Sequence, residues 1–269
     1  ELYGNPILAI REIVQNSLDA IKVQMAYKIL EDDIKTETEL QKLEAKFNIN
    51  LAVTLEDEEY WITCQDNGVG MDKEVLKKCF LVGGATKRHE LLELERKCKK
   101  KGHNLEITGQ FGIGVLSYFM IADKMIIKTN KSFQSGNQDG NGWEFEINGL
   151  SDFGELRKTE LKSNGTTVKL RLKKELATYL QDSSKISTLI ESTLNRIPCN
   201  FSLTTLGDVV LSYSPGWCKP SSFFKEKLIH QFGESTKPEI KTSHDFISEE
   251  QLSVMDISNK RKLDTHDSF

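Results

Sequence analysis

Apolar residues near the beginning of the chain recur at helical spacing. The positions that carry this pattern are Ile10, Ile13, Val14, Leu18, Ile21 and Met25. Because residues three or four apart share one face of an α-helix, the pattern predicts a long amphipathic helix over residues 6–30. Residues 115–122 are also apolar and follow a glycine-rich loop, so we expect a short buried helix there.

Alternating patterns and turn residues predict several strands between residues 49 and 172. Ile49–Glu56 and Glu59–Gln65 are rich in β-forming residues and flank a polar turn, which indicates a hairpin. Further strands are expected at 124–129, 143–149, 155–162 and 166–172. Residues 82–108 are polar, basic and flanked by glycine, which is typical of a mobile segment that carries one helix.

The pattern changes at residues 173–184, where we place a domain boundary. Beyond it, residues 186–196 have helical spacing, and residues 200–205 and 208–212 predict a second hairpin around a glycine turn. Residues after about 238 are polar and follow no pattern. We therefore expect a first domain over residues 1–175 and, over residues 183–269, a partial second α/β domain with a polar tail.

Composition narrows the class of protein. The chain has 269 residues and a formal net charge of −4, which argues against binding nucleic acid through overall charge. Its five cysteines are widely spaced and include no C-x-x-C pair, which indicates reduced thiols in a cytoplasmic protein. No apolar run approaches the roughly 20 residues of a membrane helix, so we expect no membrane partner. The sequence begins with Glu1 rather than Met, and we expect a fragment.

Polar residues line one side of the predicted first helix. Glu12, Asn16 and Asp19 follow one another at i, i+4 and i+7, among apolar neighbours. A carboxylate beside a carboxamide on a buried helix could supply a proton acceptor and an oxygen ligand for a hard cation such as Mg²⁺. Taken alone, the three residues also fit an ordinary solvated helix face.

A second polar segment, residues 66–71, reads Asp-Asn-Gly-Val-Gly-Met directly after a predicted strand. Gly68 and Gly70 would let the backbone turn tightly or come close to a flat ligand. Asp66 would present a carboxylate where the strand ends, as an acceptor for an exocyclic amine. A plain Asp/Asn/Gly turn is the alternative for this segment alone.

A third segment, Gly109–Val115, leads into the short apolar helix. Successive amides at a helix N-terminus favour phosphate oxygens, because their N–H groups are unpaired and the helix dipole attracts anions. The pattern alone also fits a packing bend, but no G-x-x-x-x-G-K-[ST] motif occurs, which excludes a P-loop. Gly165-Thr166 begins a predicted strand with a hydroxyl that could bind a nucleobase or a water beside it, or it is simply a turn exit.

Together and in this order, these segments resemble the motifs of the GHKL ATPases, most closely those of the heat-shock protein 90 chaperones. The match lies within residues 1–175 and consists of Glu12-x-x-x-Asn16-x-x-Asp19-Ala20, Asp66-x-Gly68-x-Gly70-Met71, Gly109-Gln110-Phe111-Gly112-Ile113-Gly114 and Gly165-Thr166. The resemblance implies an α/β two-layer Bergerat sandwich, with a mixed, mostly antiparallel sheet and helices on one face.

The resemblance also implies an Mg²⁺–ATP site with a role for each motif. Glu12 would be the catalytic base that deprotonates the attacking water, and Asn16 would be the metal ligand. Asp66 would accept a hydrogen bond from the adenine amine with the help of Thr166 and water, and residues 82–108 would close over the nucleotide as a lid. The other implied nucleotide-binding residues are Asp19, Ala20, Gly68, Gly70, Met71, Gly109, Gln110, Phe111, Gly112, Ile113, Gly114 and Val115.

The function implied is slow ATP hydrolysis that drives a conformational cycle in a chaperone-like protein. Protein clients, a homodimer in the full-length protein and a middle-type domain from residue 183 belong to the same expectation. Two alternatives stay open. One is an ATPase module of a bacterial signalling or defence protein, since residues 2–6 differ from the usual chaperone wording. The other is a DNA-associated ATPase similar to MutL or gyrase B, which the third motif and the lack of a basic face disfavour.

Overall fold

The structure is a computed structural model that describes residues 7–80, 88–104, 114–132, 135, 141–149, 153–161, 163–180 and 182–219. The chain divides into two compact units. The larger unit contains residues 1–193 and 197–216, and the smaller one contains residues 194–196 and 217–269. In the described part of the smaller unit, the Lys219 N–H donates to the Asn195 carbonyl at 2.8 Å.

Helices and strands alternate irregularly along the chain. The helices are α1 (Ile7–Glu31), α2 (Glu37–Glu44), α3 (Lys73–Phe80), α4 (Arg88–Lys100), α5 (Gly114–Ser117), α6 (Lys174–Leu180) and α7 (Ser183–Thr193), with a 3₁₀ turn at Tyr118–Met120. The strands are β1 (Asn48–Glu56), β2 (Glu59–Asp66), β3 (Ala122–Asn130), β4 (Gly142–Ile147), β5 (Glu155–Thr159), β6 (Gly165–Leu172), β7 (Arg196–Ile197), β8 (Asn200–Thr205), β9 (Asp208–Tyr213) and β10 (Trp217–Cys218).

Eight of these strands form one sheet in the order β5-β4-β3-β6-β2-β1-β8-β9. Strands β1 and β8 run parallel, and the other neighbouring strands described in this sheet run antiparallel. The sheet is therefore mixed and mostly antiparallel, as the sequence predicted. The expected two-layer α/β architecture is confirmed.

Helix α1 forms the centre of the helical layer. It packs against β1, β2 and β6 and against helices α2, α4, α5 and α7. Its buried apolar side chains include Ile10, Ile13, Val14, Ile21, Met25 and Ile29. Since full burial of such a side chain contributes about 1.5–3 kcal/mol, α1 anchors the layer to the sheet.

The predicted first hairpin is confirmed and places Asp66 at the last position of β2. Its turn residues Asp57 and Glu58 have φ of 50° and 65°, as in the type I′ turns that suit the twist of antiparallel strands. Buried and less buried positions alternate along β2, so that Ile62 and Asp66 face the helices while Gln65 is exposed. Asp66 pairs with Thr166 of β6, which brings the second and fourth motifs side by side.

The second predicted hairpin, β8 and β9, extends the same sheet. Strand β8 lies parallel to β1, with Asn48 opposite Asn200, and the Asn200 side chain donates to the Phe47 carbonyl at 3.1 Å. Residues 200–213 therefore continue the layer that carries the motifs. The division into domains at residues 1–175 and 183–269 remains a prediction about the whole protein.

One predicted segment differs in detail from the structure, and another is described only in part. The helix expected over residues 115–122 ends earlier, because Ala122 already pairs with Leu172 in the β3–β6 ladder. In the predicted lid, α4 covers Arg88–Lys100, while residues 82–87 and 105–108 lie outside the described residues.

The structure describes the side chains of four cysteines. Cys64, Cys98 and Cys199 are buried free thiols, and Cys218 is a partly exposed one. Burial raises the pKa of the Cys64 thiol to about 12, which makes it a poor nucleophile. None of the helices in the described ranges is long and apolar enough to cross a bilayer.

Gly165 offers a test of the fold. Its φ is +127°, and a Cβ there would lie 2.2 Å from the Asp66 carbonyl oxygen. Gly165→Ala should therefore destabilise the chain by more than the roughly 1–3 kcal/mol that such a backbone conformation costs alone. Urea unfolding measures the change in the free energy of unfolding.

Gly207 supplies the matched control for this substitution. Its φ is +97°, but nothing lies within 4 Å of the position a Cβ would take. Gly207→Ala should therefore show the conformational cost without the steric one. Equal losses of stability in the two variants would contradict the close contact between β2 and β6.

Candidate functional site

The side of α1 that runs from Glu12 to Ala20, called the α1 edge below, contacts the loop of the second motif. The Ala20 carbonyl at the end of this edge accepts a hydrogen bond from the Val69 N–H at 3.0 Å. A Cβ on Gly68 would lie 2.6–2.8 Å from the backbone and Cβ of Ala20, so the two segments touch where neither has a large side chain. The first and second motifs are therefore joined through their smallest residues.

Asp66 is a buried carboxylate held from three directions. Its side chain accepts hydrogen bonds from Ser17 Oγ at 3.1 Å and from the Gly68 N–H at 2.9 Å. The backbone N–H of Thr166 adds a third. Burial nevertheless dominates and raises the pKa of Asp66 to about 7, because desolvation penalises the charged form more than these hydrogen bonds favour it.

A second hydroxyl, Thr129, supports the site and was not predicted. Thr129 Oγ1 lies 3.0 Å from Thr166 Oγ1 and accepts a hydrogen bond from the Met71 N–H at 2.9 Å. It also lies within donating distance of the Gly165 carbonyl, at 3.1 Å. Thr129 is fully buried opposite Thr166 in the β3–β6 register, and this cross-strand pairing is the signal that could have found it.

Asn164 and Asn130 also constrain the loop of the second motif. The Asn164 side chain donates to the Asn67 and Gly68 carbonyls at 3.2 and 2.6 Å. Gly70 has a φ of +65°, and a Cβ there would lie 1.9 Å from the Asn130 carbonyl oxygen. The backbone conformation and the packing against Asn130 therefore require glycine at position 70, whether or not a ligand is bound.

The third motif meets the other end of the same α1 edge. A Cβ on Gly114 would lie 2.7 Å from Glu12 Oε2 and 3.5 Å from Asn16 Nδ2, so the first turn of α5 lies directly against these two side chains. Asn16 Nδ2 also donates to Tyr118 Oη at 2.8 Å. Gly114 and Val115 are the described part of this motif, and its other residues, 109–113, lie outside the described ranges.

Asp19 has partners on its own helix. It accepts a hydrogen bond from Gln15 Nε2 at 3.1 Å and lies 3.9 Å from Lys22 Nζ. Its side chain is buried, at 8% relative exposure. The contacts above join Glu12, Asn16 and Ala20 to later motifs, and the nucleotide-binding role of Asp19 stays a prediction.

The two ends of this α1 edge carry different chemistry. From Glu12 to Ala20 the helix rises about 12 Å. A buried carboxylate and two threonine hydroxyls lie near Ala20, and a carboxylate, a carboxamide and a helix N-terminus lie near Glu12. The described residues contain no group of three or more His, Cys, Asp and Glu side chains that could hold a metal ion.

Residues 98–103, in the described part of the predicted lid, contact α1 and the turn that follows it. The Cys98 thiol donates to the Ala26 carbonyl at 3.6 Å, and a ring nitrogen of His103 lies 3.0 Å from the Ile34 carbonyl oxygen. Lys101 Nζ forms an ion pair with Asp33 at 2.6 Å. Residues 98–103 are therefore anchored beside the helix that carries Glu12 and Asn16.

Asp66 is a buried acceptor near one end of the α1 edge, and the N-terminus of α5 lies at the other end. This arrangement agrees with a known class of ATPases. The profile of the family described as histidine kinase-, DNA gyrase B- and HSP90-like ATPase matches residues 5–145. The chain belongs to this family.

Several curated proteins that are similar to this chain are chaperones. The chaperone protein HtpG of Chlorobaculum tepidum is 23% identical over 248 residues, which cover 91% of this chain and 37% of that protein. HtpG of Fusobacterium nucleatum is 28% identical over 237 residues, which cover 87% of this chain and 36% of that protein. The chain thus spans little more than a third of the length of these relatives.

The pKa of Asp66 predicts how stability depends on pH. Between about pH 4 and pH 7 the folded chain keeps the Asp66 proton while the unfolded chain has released it, so this group's stabilising contribution is lost as the pH rises. From pH 5.5 to pH 8 the free energy of unfolding should fall by about 2 kcal/mol from this group. Urea unfolding at several pH values measures the slope.

Asp66→Asn should lack this part of the slope, because the carboxamide does not titrate. The exposed Asp208→Asn serves as the matched control and should keep the slope of the parent chain. An Asp66→Asn variant with the parent's pH dependence would show that Asp66 is not the buried titrating group.

Proposed function

We propose that this chain binds ATP with Mg²⁺ along the α1 edge, with adenine at Asp66 and the phosphates at the N-terminus of α5. The observation that carries the proposal is that α1 reaches both places at once. Ser17 donates to Asp66 at 3.1 Å, and Glu12 and Asn16, which precede Ser17 on the same helix, lie against Gly114.

At the adenine end, Asp66 would accept a hydrogen bond from the exocyclic amine. The amine selects the ionised carboxylate, so binding would lower the pKa that burial raises. The Thr166 hydroxyl, held beside Thr129, would bind the base directly or through a water. Gly70 and Met71 would line the base, since the Met71 N–H is tied to Thr129 in the same network.

At the phosphate end, the amides of residues 110–115 would hold the terminal phosphates, and Asn16 would hold the cation. The described geometry fits an oxygen ligand, because Asn16 Nδ2 is directed to Tyr118 and its partner atom Oδ1 is a ligand that Mg²⁺ prefers. The bound ion would neutralise phosphate charge.

Glu12 would act as the general base for hydrolysis. Its carboxylate takes the proton of a water whose oxygen bonds to the terminal phosphorus, while the bond from that phosphorus to the bridging oxygen breaks and releases ADP. Glu12 Oε1 lies 3.2 Å from Arg11 Nη2, and its other oxygen faces the start of α5. This contact with α5 supports Glu12 as the base, because the terminal phosphate would lie at the N-terminus of the same helix.

Residues 82–108 would serve as the lid over the nucleotide. The contacts of Cys98, Lys101 and His103 hold its described end beside α1, so closure would pivot about this attachment. Closure excludes water and positions the nucleophile, and such steps often limit turnover, so hydrolysis would be slow. The cycle would serve a chaperone-like activity on protein clients, in line with the chaperone proteins HtpG among the relatives. A homodimer of the full-length protein is part of the same proposal.

Calorimetry with ATP, ADP and a non-hydrolysable ATP analogue, each with and without Mg²⁺, tests the ligand class. We expect binding of all three, with Mg²⁺ strengthening the triphosphates most. Asp66→Asn should lose about 1–3 kcal/mol of affinity, because the carboxamide nitrogen opposes the adenine amine in a buried contact. The exposed Asp32→Asn is the control, and unchanged affinity in Asp66→Asn would reject the adenine assignment.

Glu12→Gln tests the general base. Turnover should fall roughly 10²–10⁴-fold, the usual contribution of a positioned base, while nucleotide affinity changes little. Steady-state phosphate release and calorimetry measure the two quantities. Glu31→Gln removes a carboxylate from the far end of α1, where it pairs with Lys28, and should leave turnover unaltered. Hydrolysis that survives in Glu12→Gln at the parent rate would eliminate this role.

A further inference from the structure

Tyr118 is placed against α1 by the helix that begins the third motif. It follows Gly114 by four residues, so the two lie on the same side of the helical turns formed by α5 and the 3₁₀ turn. Gly114 lies against Glu12 and Asn16, and the Tyr118 hydroxyl reaches Asn16 Nδ2 at 2.8 Å. The Tyr118 ring is buried at 2% relative exposure, which fixes the position of its hydroxyl.

The orientation of the Asn16 carboxamide decides what it can bind. Half a turn about its terminal bond exchanges the oxygen and the nitrogen, and the two orientations have nearly the same shape. The oxygen is a ligand for a hard cation, whereas the NH₂ group can only donate hydrogen bonds. A carboxamide that is free to rotate would spend part of its time in the orientation that repels a cation.

We propose that Tyr118 is a positioning residue for the cation ligand. Its hydroxyl accepts from Asn16 Nδ2 and thereby directs Asn16 Oδ1 toward the Mg²⁺ that accompanies the nucleotide. This role rests on the proposed function, because it deepens the assignment of Asn16. It also couples the orientation of Asn16 to the position of α5, because Tyr118 and Gly114 belong to one continuous helical segment.

The proposal separates two effects that a structural tyrosine would combine. Tyr118 acts on the cation through Asn16. Loss of its hydroxyl should therefore weaken ATP binding when Mg²⁺ is present and leave ATP binding unchanged when Mg²⁺ is removed. Loss of simple packing would weaken binding to the same extent under both conditions. Dependence on Mg²⁺ is therefore the property to measure.

Tyr118→Phe keeps the buried ring and removes the hydroxyl. Calorimetry should show ATP binding with Mg²⁺ weakened about 2- to 12-fold, the worth of one hydrogen bond, and ATP binding in EDTA unchanged. In an Asn16→Ala background the same substitution should cause no further loss, because the group that it positions is gone. Tyr60→Phe, on β2, removes a hydroxyl elsewhere and is the matched control.

A second measurement needs no nucleotide. In the ¹⁵N-resolved spectrum of the free protein, the Asn16 side-chain NH₂ should shift and exchange faster with water in Tyr118→Phe than in the parent chain. An Asn16 signal that does not respond, or an equal loss of ATP affinity with and without Mg²⁺, would overturn the positioning role alone. If the parent chain binds no ATP in either buffer, the proposed function fails, and the role of Tyr118 fails with it.

Discussion

The burial of the Asp66 carboxylate against α1 is the constraint on which the rest of the arrangement depends. A carboxylate removed from water is costly unless donors surround it, and here the donors come from three separate segments. Ser17 belongs to α1, Gly68 to the loop after β2, and Thr166 to β6. Helix, loop and strand must therefore meet at one point for the chain to fold with this group inside.

That meeting is possible because small residues stand where the segments approach each other. Gly68 lies on Ala20, Gly114 on Glu12, and Gly165 on the carbonyl of Asp66. A side chain at Gly68 would push the loop after β2 away from α1, and one at Gly165 would push β6 away from β2. The same close approach brings the motifs next to one another, so packing and the arrangement of the motifs share one cause.

The polar groups around the site form chains in which one residue orients the next. Thr129 binds both the Met71 amide and the Thr166 hydroxyl, and Tyr118 binds the Asn16 carboxamide. Such supporting contacts decide which atom faces a ligand, a property that the motif residues do not determine by themselves. The attachment of Cys98, Lys101 and His103 to the α1 region gives the predicted lid a fixed end in the same way.

Patterns within short stretches of the sequence determined several of this protein's helices and strands. Helical spacing predicted α1, and alternation and turn residues predicted the β1–β2 hairpin, because these signals lie within short stretches of chain. The resemblance of four short motifs to those of known ATPases indicated the family. The tertiary structure alone decided that β8 lies parallel to β1 and that Asn16 meets Tyr118, 102 residues later. Contacts between segments so far apart depend on how whole layers pack, and no periodicity along the chain records them.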